Sequence, residues 1–328
     1  MTNSEQRAYH GIDIGGTKIE LVSWIDAGGE LQEVFRERVP TPGTDFKEFV
    51  SAVVALVSRG DAALPARPVA AGTETAAPPA PVGIGLPGVI DSATGRQISS
   101  NVPALNDLNV AAALQEALQR PVIIGNDCQC FALSEAQGGA AAGLPSMFGA
   151  IIGTGAGGGY CVDGRLLRGF NAIAGEWGHW TVPAPLLEQY QLPVLDCPCG
   201  KKGCMERYVS GPGLSTLHAH IGGDGAEPLT IVARANSGDA LAAQALAIHL
   251  DLLGHAMAGL VLAYDPHAIV LGGGLSKLDH LYQQLPAAMR RHLFRGVHTP
   301  PVLPPRFGDA GGARGAALLA RQQTKQSI

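Results

Sequence analysis

Ala8-Tyr-His-Gly-Ile-Asp-Ile14, then Gly15-Gly-Thr-Lys18, then Ile19-Glu-Leu-Val-Ser-Trp-Ile25 gives an apolar run, a glycine break and a second apolar run. The two runs read as strands and the break as a tight reversal between them. Leu31 to Val39 reads as a third strand. The pattern restarts later in the chain. Met147 to Ile152 reads as a strand, Gly153 to Gly158 as a glycine-rich turn and Tyr160 to Val162 as a strand, and Asp163-Gly164 is a hairpin dipeptide. Thr17 and Thr154 hold corresponding places in the two turns. Two such restarts predict two lobes of related architecture with a cleft between them.

Between and beyond these restarts, helix and strand patterns alternate. Asp45 to Arg59 has apolar residues at helical spacing, with Thr44 as the expected N-cap. Arg59 to Pro81 is rich in Ala and Pro and reads as a mobile surface insertion. Val82 to Leu86 is a strand, Leu108 to Leu118 a helix, Val122 to Ile124 a strand and Gln129 to Ala142 a helix. Ala240 to Leu262 is a long helix, Ala268 to Leu271 a strand and Gly311 to Ala320 a final helix. This is an α/β pattern with an antiparallel start to each half. Residues 1–126 with 309–328 are expected to form a small lobe, and 127–308 a large one.

Composition narrows the function. The 328 residues carry 23 Lys plus Arg against 28 Asp plus Glu, a net charge of −5. That balance carries no electrostatic footprint for nucleic acid or an anionic membrane. Hydrophobic residues make up 46%, enough for a substantial core, and charged residues 16%, which excludes disorder of the whole chain. The most apolar stretch, Leu252 to Tyr264, falls short of the ~20 residues that span a bilayer. The N-terminus is polar, so no signal peptide is expected and the protein is expected in the cytoplasm. The six cysteines there are thiols or metal ligands, not a disulfide framework.

The glycine turns carry the first chemistry. Gly15 and Gly16 let backbone N–H groups converge on an anion, Thr17 adds a hydroxyl and Lys18 follows. Asp13 is a hard oxygen donor suited to Mg²⁺, through water. A glycine hairpin without a ligand has the same sequence. Gly153-Thr154-Gly155 opens a run that matches G-x-G-x-x-G, but a hairpin follows where a dinucleotide fold needs a helix. Neither turn is a Walker loop. As a pair, the two turns suit the β- and γ-phosphates of ATP. Gly272 and Gly273 end the strand after Asp265-Pro266, where a flat group such as adenosine can lie against bare backbone. A flexible turn reads equally well there.

Cys197, Cys199 and Cys204 lie within eight residues, with His179 upstream. Three thiolates and an imidazole make a closed tetrahedral set, so a Zn²⁺ there is structural rather than catalytic. Cys128, Cys130 and Cys161 lie outside this spacing and are expected in the core. Asp127 follows a strand and precedes a helix, the place of a general base facing a cleft and equally of a helix cap. Asn101, Asn126, Glu176 and Glu206 can fork hydrogen bonds onto vicinal hydroxyls and are the candidate sugar-binding set; His179 joins it as a neighbour of Glu176.

Taken together these motifs resemble the ROK family of repressors and sugar kinases, essentially end to end. The resemblance rests on Asp13-Ile-Gly-Gly-Thr-Lys18, Gly83-Ile-Gly-Leu-Pro-Gly88, Asn126-Asp127, Gly153-Thr-Gly155 and Ala174-Gly-Glu-Trp-Gly-His179. It continues through the cysteine loop into Glu206, Asp265-Pro-His-Ala-Ile-Val-Leu-Gly-Gly-Gly274 and Gly308-Asp-Ala-Gly-Gly-Ala-Arg-Gly-Ala316. It implies a two-lobed, actin-like (ribonuclease-H-like) ATPase fold, a sugar kinase with Asp127 as base, and a homodimer. Asn101-Val-Pro-Ala104, Arg38-Val-Pro-Thr-Pro42, Cys130-Phe-Ala-Leu-Ser-Glu-Ala136 and Gly272-Gly-Gly-Leu-Ser276 are similar to the N-acetyl-D-glucosamine kinases of that family. Phosphorylation of the 6-hydroxyl of that sugar is therefore expected, with fructokinase or glucokinase as alternatives. Repressors of the family carry a helix-turn-helix ahead of the first glycine turn. Twelve residues before Asp13 and an acidic chain point away from one.

Overall fold

The first glycine break does reverse the chain: β1 (Arg7–Ile14) and β2 (Lys18–Ala27) pair antiparallel, closing at Ile14 opposite Ile19. The computed structural model describes residues 7–65, 78–91, 93–98, 102–308 and 311–326. After β2 come β3 (Glu30–Pro40), α1 (Phe46–Ala63), β4 (Val82–Leu86) and a small hairpin of β5 (Val89–Ile90) and β6 (Gln97–Ile98). Next are α2 (Val110–Leu118), β7 (Val122–Asn126), α3 (Asp127–Ala136), β8 (Ser146–Ile152), β9 (Ala156–Val162) and β10 (Arg165–Leu167). A helical stretch follows: α4 (Ala184–Gln189), α5 (Glu206–Val209), α6 (Gly211–His220), α7 (Pro228–Asn236) and α8 (Ala240–Tyr264). Strand β11 (Ile269–Gly272), α9 (Asp279–Arg291), β12 (Val302–Leu303) and α10 (Gly311–Gln326) complete the chain.

The chain divides into two compact units. One holds Met1–Ser134, Gly169–Ile173 and Ala310–Ile328, the other Glu135–Arg168 and Ala174–Asp309. Each is built on a five-stranded mixed sheet, ordered β3-β2-β1-β4-β7 in the first and β10-β9-β8-β11-β12 in the second. In both, three antiparallel strands lead into parallel neighbours: β1 beside β4 beside β7, and β8 beside β11 beside β12. The repeated order is the two-lobed α/β architecture expected from the repeated sequence pattern.

In the first unit, Ile12, Ile14, Ile19 and Leu21 of the sheet bury against Phe49, Val53, Leu56 and Val57 of α1. Helix α10 lies across β1 and β4 so closely that a Cβ on Gly11 would strike the Ala313 carbonyl, and one on Gly83 the Ala316 carbonyl. Glycine inside a strand marks such an approach. In the second unit, Phe148, Ile269 and Leu271 of the sheet share a core with Trp177, Tyr208, Leu252, Leu253 and Met257.

Several element boundaries differ from the sequence reading. Asp45, not Thr44, caps α1: its carboxylate accepts from the Glu48 N–H at 2.9 Å. Helix α1 continues through Ala63, so the Ala/Pro-rich segment begins helical, and residues 66–77 lie outside the described residues. Asn109 caps α2, which starts two residues later than its pattern, and α3 runs from 127 to 136 instead of 129 to 142. The second glycine turn is only Gly153–Gly155. Gly157 to Gly159 belong to β9, where a Cβ on Gly158 would strike the Gly149 carbonyl and the Phe148 ring. Helix α8 is 25 residues long and holds an 18-residue window with a mean hydropathy of 1.7, so length and composition alone would let it cross a membrane. Two thirds of that window is buried inside the second unit, with His249 and Asp251 among its buried residues. It is a core helix, longer than its most apolar stretch.

Candidate active site and metal centre

Strands β1, β4 and β7 are parallel and in register, with Asp13 opposite Gly85 and Gly85 opposite Gly125. Their carboxyl ends are where open α/β sheets bind ligands. A Cβ on Gly85 would lie 3.6 Å from Asp13 Oδ1 and 3.7 Å from the Asp127 Cα, so one bare glycine separates two carboxylate-bearing residues. The Asp13 carboxylate also lies over the first turn of α10: a Cβ on Gly312 would come within 2.6 Å of its Oδ2. A helix N-terminus favours negative charge there. The adjoining turn is pinned twice by Thr41, which lies in the Arg38–Pro42 motif but was assigned no role from sequence. Thr41 Oγ1 donates to the Gly15 carbonyl at 2.7 Å, and the Thr41 N–H donates to the Thr17 carbonyl at 3.1 Å. The Gly15 N–H donates to the Lys18 carbonyl at 2.9 Å, leaving Gly16, Thr17 and Lys18 exposed.

Asn126 and Asp127 divide the helix terminus between them. Asn126 Oδ1 accepts from the N–H groups of Cys128 at 2.8 Å and Gln129 at 3.3 Å, so Asn126 is the cap of α3. Its Nδ2 donates to the Gly88 carbonyl at 3.0 Å, which leaves one amide hydrogen for a ligand. Asp127 is the first helical residue, with Oδ1 accepting from the Cys128 N–H at 2.8 Å. Protein atoms crowd its carboxyl, and that burial pushes its pKa above the ordinary carboxylate range against the opposing pull of the Cys128 hydrogen bonds. Cys130 and Cys161 are buried as expected, while Cys128 is half-buried beside Asp127.

In the second unit, the Gly153–Gly155 turn and the Gly272-Gly273 strand end lie together. Strand β11 runs parallel to β8, with Gly272 opposite Ile151. Gly273, at φ +78°, packs so close that a Cβ would lie 3.0 Å from the Gly153 nitrogen. The Gly153 N–H donates to the Gly155 carbonyl at 2.9 Å, and Thr154 is exposed at the tip.

The ligand atoms of His179, Cys197, Cys199 and Cys204 all lie within 4.8 Å of one another. Cys199 and Cys204 sulfurs are 3.6 Å apart, and Cys197 Sγ is 3.8 Å from His179 Nδ1. A tetrahedron with ~2.3 Å metal–sulfur bonds has edges of roughly 3.8 Å. The residues therefore fit a structural zinc, with Nδ1 as the histidine donor. Gly200 and Gly203, at φ +87° and +71°, give the loop the left-handed turns it needs.

Two carboxylates flank this centre. Glu176 Oε2 stands 3.8 Å from His179 Nε2. Glu206 Oε1 stands 3.1 Å from Cys197 Sγ and 3.8 Å from His179 Nδ1, while its Oε2 accepts from the Ala156 N–H at 3.4 Å. The Glu176 segment is held flat on β9: Trp177 Nε1 donates to the Gly157 carbonyl at 2.7 Å, and Gly175, at φ +114°, lies against Gly158. Asn101 lies outside the described residues. The structure thus brings Asp13 and the Asn126-Asp127 pair to one sheet end, and Glu176, His179, Glu206 and the second glycine turn into one neighbourhood of the other unit. Thr41 and Gly312 stand inside quoted motifs, but the sequence assigned neither a role. The strand glycines Gly11 and Gly83, which demand small residues on α10, were the available signal for the latter.

Fold and sites define a two-lobed α/β sugar-kinase architecture, and the ROK family profile matches residues 9–323. The chain belongs to the ROK family. It is 46% identical to an N-acetylgalactosamine kinase of Shewanella sp., over 95% of this chain and 96% of that one. It is 38% identical to an N-acetyl-D-glucosamine kinase of Photobacterium profundum, over 95% and 98%. Among solved structures it is similar to a ROK hexokinase from Thermus thermophilus, with a TM-score of 0.81, 30% identity and coverage of 97% and 99%. A ROK family glucokinase from Streptomyces griseus, solved in complex with glucose and AMPPNP, gives a TM-score of 0.70 at 28% identity, with coverage of 96% and 99%.

Proposed function

We propose that this ATP-dependent sugar kinase transfers the γ-phosphoryl group of ATP to the 6-hydroxyl of an N-acetylhexosamine. The observation that carries the reading is the end-to-end likeness to two kinases named for N-acetylgalactosamine and N-acetyl-D-glucosamine. Those sugars share the 2-acetamido group and differ only in configuration at C4. The sequence motifs favour N-acetyl-D-glucosamine; the 46% identity to the N-acetylgalactosamine kinase favours its epimer. Both belong in the first test.

Asp127 accepts the proton of the 6-hydroxyl as its oxygen bonds to the γ-phosphorus and ADP leaves. Its crowded carboxyl has reason to take up a proton. Asn126, fixed by its capping bonds, offers its remaining amide hydrogen to the sugar, and Asn101, Glu176, His179 and Glu206 complete the sugar set. The turn at Gly15, Gly16, Thr17 and Lys18, exposed from Gly16 to Lys18, and the turn at Gly153, Thr154 and Gly155, exposed at Thr154, receive the phosphates through backbone N–H groups and the Thr17 and Thr154 hydroxyls; Gly272 and Gly273 receive the adenosine. Asp13 would hold the Mg²⁺ of the nucleotide through water, an ion that neutralises charge on the β- and γ-phosphates.

The test is a coupled ADP-release assay with N-acetyl-D-glucosamine, N-acetylgalactosamine, N-acetylmannosamine, glucose and fructose. One of the first two sugars is expected to give the highest kcat/KM. A maximum on glucose or fructose would overturn the substrate reading.

A further inference from the structure

We propose that His249 is a positioning residue for the nucleotide phosphates: its imidazole holds the junction of α5 and α6, and that junction clamps the Gly153–Gly155 turn. The proposal rests on the reading of that turn as a phosphate site.

The junction consists of Val209, Ser210 and Gly211. The Gly211 N–H donates to the Gly153 carbonyl at 2.8 Å, and a Cβ on Gly211 would lie 3.3 Å from the same oxygen. Ser210 Oγ accepts from the Gly213 N–H at 3.2 Å and so caps α6. The opposite end of α5 reaches the same turn, through Glu206 Oε2 and the Ala156 N–H at 3.4 Å. The turn is thus gripped on both flanks by one short segment.

Helix α5 is four residues long, and so short a helix has little stability of its own. Its place depends on anchors. Tyr208 supplies one, with its hydroxyl donating to the Pro193 carbonyl at 2.7 Å and accepting from the Leu195 N–H at 3.0 Å. His249 supplies another, at the carboxyl end: Nε2 donates to the Val209 carbonyl at 2.8 Å. That carbonyl is one of the last of α5, which no intrahelical N–H reaches. His249 itself is fully buried in the middle of α8, the longest helix of the unit. Burial pushes its pKa down to about 4, so the ring stays neutral and its proton stays on the nitrogen facing Val209. Among the described residues its Nδ1 has no hydrogen-bond partner. A leucine could fill the same space, so the single donated bond is what accounts for a histidine here.

The test compares His249→Leu and His249→Gln with the wild type by KM for MgATP, KM for the sugar, kcat and direct MgATP binding. Loss of the donor in His249→Leu is expected to raise the MgATP KM and Kd by roughly fivefold, the worth of one net hydrogen bond, with kcat and the sugar KM unchanged. His249→Gln, whose amide nitrogen reaches the same carbonyl, is expected to restore wild-type values. If His249→Leu does not fold, His249→Asn serves, because its shorter amide stops short of Val209 and the same rise is expected. Wild-type MgATP affinity in the folded donor-loss variant would overturn the proposal. So would an equal loss in His249→Gln, or a parallel change in the sugar KM. A Thr154→Val variant separates the two layers. If it leaves MgATP binding unchanged, the phosphate reading of the turn fails. If it weakens MgATP binding while the histidine variants do not, the positioning role alone fails.

Discussion

At the scale of single residues, Asp127 concentrates the conflict between stability and chemistry. Its carboxyl is crowded, so its pKa lies above the ordinary value of about 4. A group that binds its proton more tightly when folded loses its contribution to stability as pH rises through the folded pKa. Asp127→Asn is therefore expected to keep or raise Tm at pH 7–8, while kcat falls by ~10²–10⁴-fold because the amide cannot take the hydroxyl proton. Wild-type activity in that variant would remove Asp127 from the role and make Glu176 the next candidate. The acid limb of the wild-type kcat/KM profile is expected above pH 4, falling as pH drops through the raised pKa; a limb at or below the ordinary carboxylate value would contradict the raised pKa. The sequence left Asp127 readable as base or as cap. Only the structure shows that Asn126 takes the capping bonds, because both residues suit a helix start and their division depends on one residue of register.

At the scale of elements, helix α1 is fastened to the sheet by a polar anchor. His10 Nε2 lies 2.9 Å from Asp61 Oδ1 and its Nδ1 2.8 Å from Ser23 Oγ, while Arg120 grips the Asp61 carboxylate with bonds of 2.9 and 2.7 Å. Partial burial would raise the Asp61 pKa, but the hydrogen bonds and charges of His10 and Arg120 outweigh it and hold the carboxyl well below its usual range. The anchor therefore stabilises the fold above about pH 4 and is lost as pH falls through the lowered folded value. Asp61→Asn is expected to cost about 1–3 kcal/mol in denaturant unfolding at pH 7, with the gap to wild type closing in acid. A pH-independent gap would contradict it. Ser23, His10 and Asp61 share no local motif, so they could not be joined from sequence. The cysteine loop is the opposite case, since three thiols in eight residues announce themselves. Cys204→Ser is expected to lose bound zinc by elemental analysis and to raise the sugar KM, because Glu206 and His179 are aimed by the same loop. Wild-type zinc content in that variant would contradict the ligand set. Helices α4 to α7 were not read at all: they are short, and α6 has its polar and apolar residues mixed around the axis, so periodicity had little to work on.

At the scale of the whole molecule, what was legible was repetition. Strand, glycine turn and strand recur at Thr17 and Thr154, and the structure answers with two sheets of the same order. A glycine turn is readable because so few backbones need it. Its length was overread at Gly158, where the glycine serves strand packing against Phe148 and not the turn. Sugar preference was less legible, because epimers differ by one hydroxyl whose partners come from separate stretches of chain. The central claim is transfer of phosphate from ATP to the 6-hydroxyl of an N-acetylhexosamine. The most direct measurement is a phosphorus–proton correlation NMR spectrum of the product formed from MgATP with N-acetylgalactosamine or N-acetyl-D-glucosamine. The account predicts a phosphate ester correlated with the two C6 methylene protons; correlation with the anomeric proton, or release of inorganic phosphate without any sugar ester, would contradict it.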